Sequence, residues 1–523
     1  LVLAVSGPVQ AQQIEPIDDL QWLVIEDTVG TLFAPDEARA TALEIMREGQ
    51  GRIAAGEMDQ ARRLFAHARV VLNGETWDAG SEFLASLALR PERVAVDPNQ
   101  RLMLSVGQHF QAPMPGASPI TMVLHLRGWS RRPDTELSAT TRLQDISLWN
   151  ADLIEQPHRV LLDLSAIPDG SWELVADVRQ DGTSIGHAST RIFIVRGLRQ
   201  DSAEIAERLA VLELREGLSA SIAYPLDLAV GLDSGTRRIR DVDFRELLDR
   251  SLALLEAAEQ GRDPLWQSRG NRLRNYRSDL SRRIEPYRLF IPQGWNGTSP
   301  IALVVMLHGS MGDEGSVFAS SELEMLGEAH GIAVLGLLGD DPNSGWGNRL
   351  PVVLADGTMP PPRPVVWQGR VQPVTALTPE PAIADVIAVL ARVMAEYPID
   401  PARIYLGGNS MGGEGVWHLA SEFPQLWAAV APGAGPIDPA SFNYDRLGTM
   451  PVLVVHGTQD KITSFAASRE MVERLSAAGG NVRLLAPEAG HDAYHLMMEE
   501  VLSFFLKHSN PQTSPLTKSA EQQ

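Results

Sequence analysis

The chain has 523 residues, 44% of them apolar and 21% charged, and no cysteine. That length fits two or three domains with real cores, and the missing thiols exclude disulfides, zinc–thiolate centres and a cysteine nucleophile. A formal charge of −21 argues against nucleic acid and against docking on anionic membranes, and no stretch reaches the roughly 20 apolar residues of a membrane span.

The chain opens Leu1-Val2-Leu3-Ala4-Val5 and passes Gly7-Pro8 to Val9-Gln10-Ala11 before polar Gln12-Gln13. A short apolar run ending in small residues reads as the tail of a secretory signal peptide cleaved after Ala11, which predicts a secreted or periplasmic protein. A buried N-terminal strand is the alternative. Residues 12–93 are expected to form a helical region. Ala42, Leu43, Ile45 and Met46 precede a break at Gly51, and Ala61, Leu64, Phe65, Ala68 and Val71 follow at helical spacing. From 94 to 198 the period changes to two. Candidate strands at 101–106, 121–126, 158–164, 172–178 and 189–195, parted by turns such as Pro168-Asp169-Gly170, predict a β-sandwich of immunoglobulin-like type. Residues 199–284 read as a helical connector, in which the arginine-rich stretch 262–283 is expected to form salt-bridged helix faces. A catalytic domain is expected over 285–508, with a disordered tail at 509–523.

Within that last domain, Ile404-Tyr405-Leu406-Gly407 runs into Gly408-Asn409-Ser410-Met411-Gly412. A serine hydroxyl is a poor nucleophile unless the backbone thrusts it out of a tight strand-to-helix turn. Glycines two before and two after it leave room for that turn. Ser410 is therefore the candidate nucleophile, with the Met411 N–H facing the same point.

A serine nucleophile needs a base, and the base an orienting acid. The strand pattern Pro451–Val455 leads through His456-Gly457 to Asp460, a helix is expected over 465–477, and a strand over 482–486 leads to Ala489-Gly490-His491-Asp492. Each candidate lies just past the C-terminal end of a predicted strand, the edge at which parallel sheets bind ligands. Asp460 is read as the acid and His491 as the base. Asp492 is expected to cap the following helix, His456 to be a satisfied structural residue and His418 to be packed. The apolar run 301–307 ends in His308-Gly309-Ser310-Met311-Gly312, so the N–H of Ser310, or that of Met311, joins Met411 as the expected oxyanion hole.

The blocks LHGSMGDE (307–314), YPIDPARIYLGGNSMGGEGVWHLASEFPQLWAAVAPGAG (397–435), VLVVHGTQD (452–460) and AGHD (489–492) carry a resemblance from Tyr287 to about Lys507. Over that span the chain resembles the esterase group of the α/β-hydrolase superfamily, nearest to polyhydroxybutyrate-depolymerase-like and feruloyl-esterase-like enzymes and to esterase domains that follow an immunoglobulin-like module. Many members of that group carry cysteines around the oxyanion loop or cleft, and this chain has none. The resemblance implies an α/β fold: a hydrolase domain with a mostly parallel sheet, preceded by helical and β-sandwich segments. It also implies a secreted serine esterase that takes a small-molecule or polymeric ester, needs no metal or organic cofactor, and inserts in no membrane.

Between 338 and 382 lies a long proline-rich insertion holding Trp346 and Trp367. These two are expected either to wall the cleft against an acyl or aryl group or to pin the loop to the body. Two other readings stay open: a prolyl-oligopeptidase-like peptidase, against which the absence of a propeller-length repeat counts, and a non-catalytic binding protein on a hydrolase scaffold.

Overall fold

The computed structural model describes residues 19–116, 118–129, 140–148, 152–238, 240, 242–319, 322–360, 365–367, 370–372 and 381–510. The expected signal-peptide tail, and the chain beyond 510, lie outside the described residues.

Four helices open the described chain: Asp19–Gly30, Asp36–Ala54, Met58–Leu72 and Ala79–Ser86. The first lies within the helical region expected over 12–93. It closes a small core in which Leu20, Leu23 and Val24 meet Leu43, Met46 and Phe65. The break expected at Gly51 falls later, because the second helix continues through Gly51 and ends before Gly56, whose φ of 77° no side chain adopts easily.

The sandwich begins at Leu87 rather than 94. One sheet pairs Leu87–Pro91, Leu102–Gln108 and His158–Leu162. The other runs in the order Ala95–Val96, Thr183–Ile194, Gly170–Gln180, Ile120–Gly128 and Thr141–Leu148. Inward residues of both sheets, among them Leu104, Val106, Met122, Leu174 and Ile192, share one core, as alternation requires of a two-sheet stack. The connector helices Leu198–Leu209, Glu216–Asp233 and Phe244–Glu259 follow.

The arginine-rich stretch is not a set of helix faces. Gly270–Arg277 is a strand, antiparallel to Ile284–Ile291. Period two explains the arginine content: Arg274 and Tyr276 point the same way. The Arg274 guanidinium forks onto both carboxylate oxygens of Glu396 at 2.7 Å, and the Tyr276 hydroxyl donates to Asp385 at 2.5 Å.

That strand is one edge of an eight-stranded sheet. The order is Gly270–Arg277, Ile284–Ile291, Ile332–Leu337, Ile301–Leu307, Ile399–Asn409, Ala429–Gly433, Val452–Val455 and Val482–Leu485. The last six are mutually parallel, Ile284–Ile291 is antiparallel to its neighbour among them, and Gly270–Arg277 is antiparallel to Ile284–Ile291. The central strands are buried along their whole length, Ile301–Leu307 entirely so, as expected where helices cover both faces. One face packs on Pro381–Glu396 and Met411–Glu422 and the other on Met498–Phe505. All the strand ends that carry the candidate residues therefore open on one edge, and this is an α/β-hydrolase sheet.

Candidate active site

Ser410 is the turn between the central strand Ile399–Asn409 and the helix Met411–Glu422, at φ 58° and ψ −123°. That is a conformation a β-carbon resists, and it is held from three directions. The Ser410 N–H donates to Gly433 O at 2.9 Å, and the Glu414 N–H to Ser410 O at 3.0 Å. A methyl on Gly408 would lie 2.8 Å from the Gly412 backbone and from Leu307 O; one on Gly412 would lie 2.2 Å from Leu307 O. These glycines are needed because backbone, which cannot step aside, fills the space a side chain would take. Tyr494 fills the hollow beneath, with its hydroxyl over Gly407 and its ring over Gly433.

Asp460 and His491 meet directly: His491 Nδ1 lies 2.7 Å from Asp460 Oδ2. The carboxylate is held on every side. Its Oδ1 accepts the N–H groups of Ile462 at 2.7 Å and Thr463 at 3.1 Å, and its Oδ2 accepts the Thr463 hydroxyl at 3.0 Å. Burial pushes the carboxyl up, but His456, His491 and the Ile462 N–H outweigh it and hold Asp460 far below the usual carboxylate range. An ionised carboxylate at this distance favours the tautomer with the proton on Nδ1, which leaves Nε2 able to accept one.

His456 is the residue whose place was underread. It is wholly buried, its Nδ1 lies 2.7 Å from Ser468 Oγ, and its Nε2 lies 3.0 Å from Asp460 Oδ2, at an angle outside that of a hydrogen bond. It is a core residue, but not a fully satisfied one as expected: Nδ1 has a partner, while Nε2 is buried without a hydrogen bond beside the candidate acid. The spacing His456-x-x-x-Asp460 carried the signal, but in a loop that spacing does not set direction. Thr463, which bridges Asp460 and Ala434 O, had no signal at all.

The candidate nucleophile and the candidate base are linked through the residue before Ser410. Asn409 Nδ2 donates to His491 O at 3.3 Å, and among the described residues no hydrogen bond joins Ser410 Oγ to His491. Such bonds are often loose before substrate binds. Asp492 stands at the start of the helix Ala493–Leu496, but its side chain makes no capping bond. His418 is packed, and burial pushes its pKa down to about 4.

The loop after Ile301–Leu307 returns at the level of Ser410, with Gly309 against the Ser410 β-carbon. The Met311 N–H donates to Pro342 O at 2.9 Å and to Asn343 Oδ1 at 2.8 Å, so both expected donors, Ser310 and Met311, lie on a loop tied down by backbone contacts. His308 anchors this loop with its ring nitrogens 2.8 Å from Gly309 O and 2.9 Å from Leu338 O.

Trp346 does not wall an open cleft. It is 0% exposed, its Nε1–H donates to His308 O at 3.1 Å, and it packs on Gly339 and Gly415. It pins the insertion to the helix Met411–Glu422. Trp367 ends the strand Val365–Trp367, paired with Arg370–Gln372; its side chain lies outside the described residues. The insertion returns to the site by two bridges, Val352 with Ile437 and Leu354 with Thr463. Among the described residues no cluster of acidic or histidine side chains is arranged to hold a metal, and no helix is long and apolar enough to cross a membrane.

Comparison with known proteins adds the following. The profile of the Dienelactone hydrolase family matches residues 364–495. NocK of Nocardia uniformis subsp. tsuyamanensis, named as an esterase, is 30% identical over 193 residues, covering 35% of this chain and 47% of that protein. The bifunctional acetylxylan esterase/xylanase XynS20E of Neocallimastix patriciarum is 35% identical over 77 residues, 15% of this chain and 11% of that protein. The chain thus spans less than half the length of each of these curated relatives. Among solved structures, a thermostable esterase aligns over 81% of this chain and 99% of its own, at 16% identity and a TM-score of 0.36. The C-terminal half of this chain is an α/β-hydrolase domain, similar in sequence to the Dienelactone hydrolase family and to esterases.

Proposed function

We propose that the protein is a secreted or periplasmic serine esterase working through Ser410, His491 and Asp460. The observation that carries this reading is Ser410 itself, a non-glycine residue held at φ 58° on the strand-end edge that also carries the Asp460–His491 pair. A fold tolerates such a conformation where function needs it. Ser410 Oγ attacks the ester carbonyl as His491 Nε2 takes its proton. The N–H groups of Ser310 and Met411 receive the negative charge on the carbonyl oxygen. The C–O bond breaks, the alcohol leaves with the proton from His491, and an acyl group remains on Ser410. Water, deprotonated by the same imidazole, releases the acid and restores the serine. Asp460 stays ionised throughout and balances the imidazolium. The substrate is a small-molecule or polymeric ester, and the sandwich of residues 87–195 is read as an immunoglobulin-like module.

The test compares the purified protein with Ser410→Ala on p-nitrophenyl butyrate and on a peptide anilide. Turnover of the ester alone, falling at least 1,000-fold in the variant, is the expected result. Equal activity in Ser410→Ala would sink the nucleophile assignment, and anilide cleavage would make the protein a peptidase.

A further inference from the structure

The N-terminal helices are not a detached module, because the turn between the first two sits on the catalytic edge. On one side, Leu32 packs into a cluster with Val352, Leu354 and Ile462. Ile462 adjoins Thr463, whose hydroxyl bonds Asp460 at 3.0 Å. On the other side, Glu26 pairs with Arg238 at 3.2 Å, and Arg238 lies 4.0 Å from Asp341. Asp341 accepts the Asn343 N–H at 2.8 Å, and Asn343 Oδ1 accepts the Met311 N–H at 2.8 Å beside the candidate oxyanion donor. The turn after the first helix thus packs beside the acid loop, and the helix connects to the oxyanion loop through Arg238, Asp341 and Asn343.

The turn is also rigid. Buried Arg39 donates to Thr31 O and Ala34 O, each at 2.8 Å, and its remaining donors go to Asp36 and to Asp356 of the insertion. One guanidinium thus fixes the turn and fastens it to the hydrolase. At its tip Phe33 stays 56% exposed, an apolar ring held out by a clamped backbone. Met311 on the oxyanion loop and Leu496, five residues past His491, are further exposed apolar side chains on segments that carry the site.

We infer that the turn Thr31–Ala34 is a wall of the substrate cleft and that Phe33 gives the enzyme a preference for esters with bulky apolar groups. The inference rests on the esterase reading above and names the part of the molecule that selects the substrate. A pre-set aromatic ring loses little entropy on binding, and its contact with a long acyl or aryl group is worth about tenfold in kcat/KM.

The experiment measures kcat/KM for p-nitrophenyl octanoate and for vinyl acetate in the full chain. Phe33→Ala should lower the octanoate-to-acetate ratio about tenfold with no change in Tm, and Phe33→Trp should keep it. Met325→Ala, a control at an exposed residue on the helix Leu323–His330, should leave both rates as they are. An unchanged ratio in Phe33→Ala overturns the inference. If the unaltered protein cleaves neither ester, the esterase reading fails and the preference falls with it. The clamp is then judged by hydrogen exchange: Arg39→Ala should speed exchange at the Ile462 and Thr463 amides at least tenfold, and unchanged exchange refutes the bracing as well.

Discussion

Ser410 occupies backbone space that glycine enters freely and serine only under constraint. The constraint is visible as backbone against backbone: Gly412 has no room for a β-carbon beside Leu307 O, nor Gly435 beside Ser410 O. Two outcomes follow at this scale. Ser410→Ala removes the hydroxyl but keeps the strain, whereas Ser410→Gly relieves it, so the glycine variant should be the more stable of the two inactive proteins by about 1 kcal/mol in urea unfolding. Gly412→Ala should destabilise by about 2 kcal/mol and abolish turnover, because a rigid neighbour must move. A Gly412→Ala protein with unaltered Tm would mean that the turn at Ser410 is looser than its backbone contacts imply. His456 calls for a third measurement. With Asp460 held by Thr463 and two backbone N–H groups even without it, His456→Gln should retain most of the activity, and a loss as large as that in Ser410→Ala would make His456 part of the catalytic machinery.

At the scale of elements, the helix Pro381–Glu396 does more than cover the sheet. Its Asp385 is buried between the Tyr276 hydroxyl and the Gly339 N–H. Burial pushes its pKa up to about 7, aided by Glu285 and Asp340 and opposed by the two hydrogen bonds. The sign follows from linkage: the folded state holds this proton more tightly than the unfolded chain, so the favourable contribution is complete below about pH 4 and is lost as pH rises to about 7. The loss is on the order of 4 kcal/mol. Tm should therefore decline between pH 5 and pH 8 more steeply in the unaltered protein than in Asp385→Asn, and parallel slopes would refute the assignment. Elements were legible in the sequence where periodicity was strong: the helix at 465–477 and the buried strands flanking Ser410 and Asp460 emerge as expected. They were illegible where charge hid the pattern. In Gly270–Arg277 the arginines mask a strand, and the partner of Arg274, Glu396, lies more than a hundred residues away. Thr141–Leu148 was missed as well, since its outward face is polar and its core contacts, Ile146 and Leu148, are few. The candidate triad was readable because strand ends carry chemistry. The seat of Leu32 on Leu354 and Ile462 was not, since nothing local in Thr31–Ala34 announces a partner in a distant insertion.

For the whole molecule, the junction of connector and hydrolase is ionic and buried. Arg237 joins Asp227 at 2.9 Å and Glu285 at 3.1 Å, and Arg283 reaches both Glu285 and Asp340. Arg240 joins Glu314 at 2.8 Å, just past the candidate oxyanion loop. Removing one member strands the others without water, a loss of roughly 3–5 kcal/mol. Glu285→Gln should cost that much in chemical unfolding, and 0.5 M salt should restore little of it, since buried pairs are poorly screened. The connector and the hydrolase should also melt in a single step by circular dichroism and tryptophan fluorescence, two separate transitions being evidence against the junction.

The antiparallel strand Gly270–Arg277 has a consequence for anyone who shortens this chain. It satisfies one side of Ile284–Ile291, residue for residue from Gly270 to Arg277. A fragment cut to begin at 285, the domain boundary expected from the sequence, would bare a row of unpaired amides and carbonyls beside an apolar strand. Such an edge pairs with its own copies, and the trimmed protein would be recovered as aggregate, whatever the state of its active site.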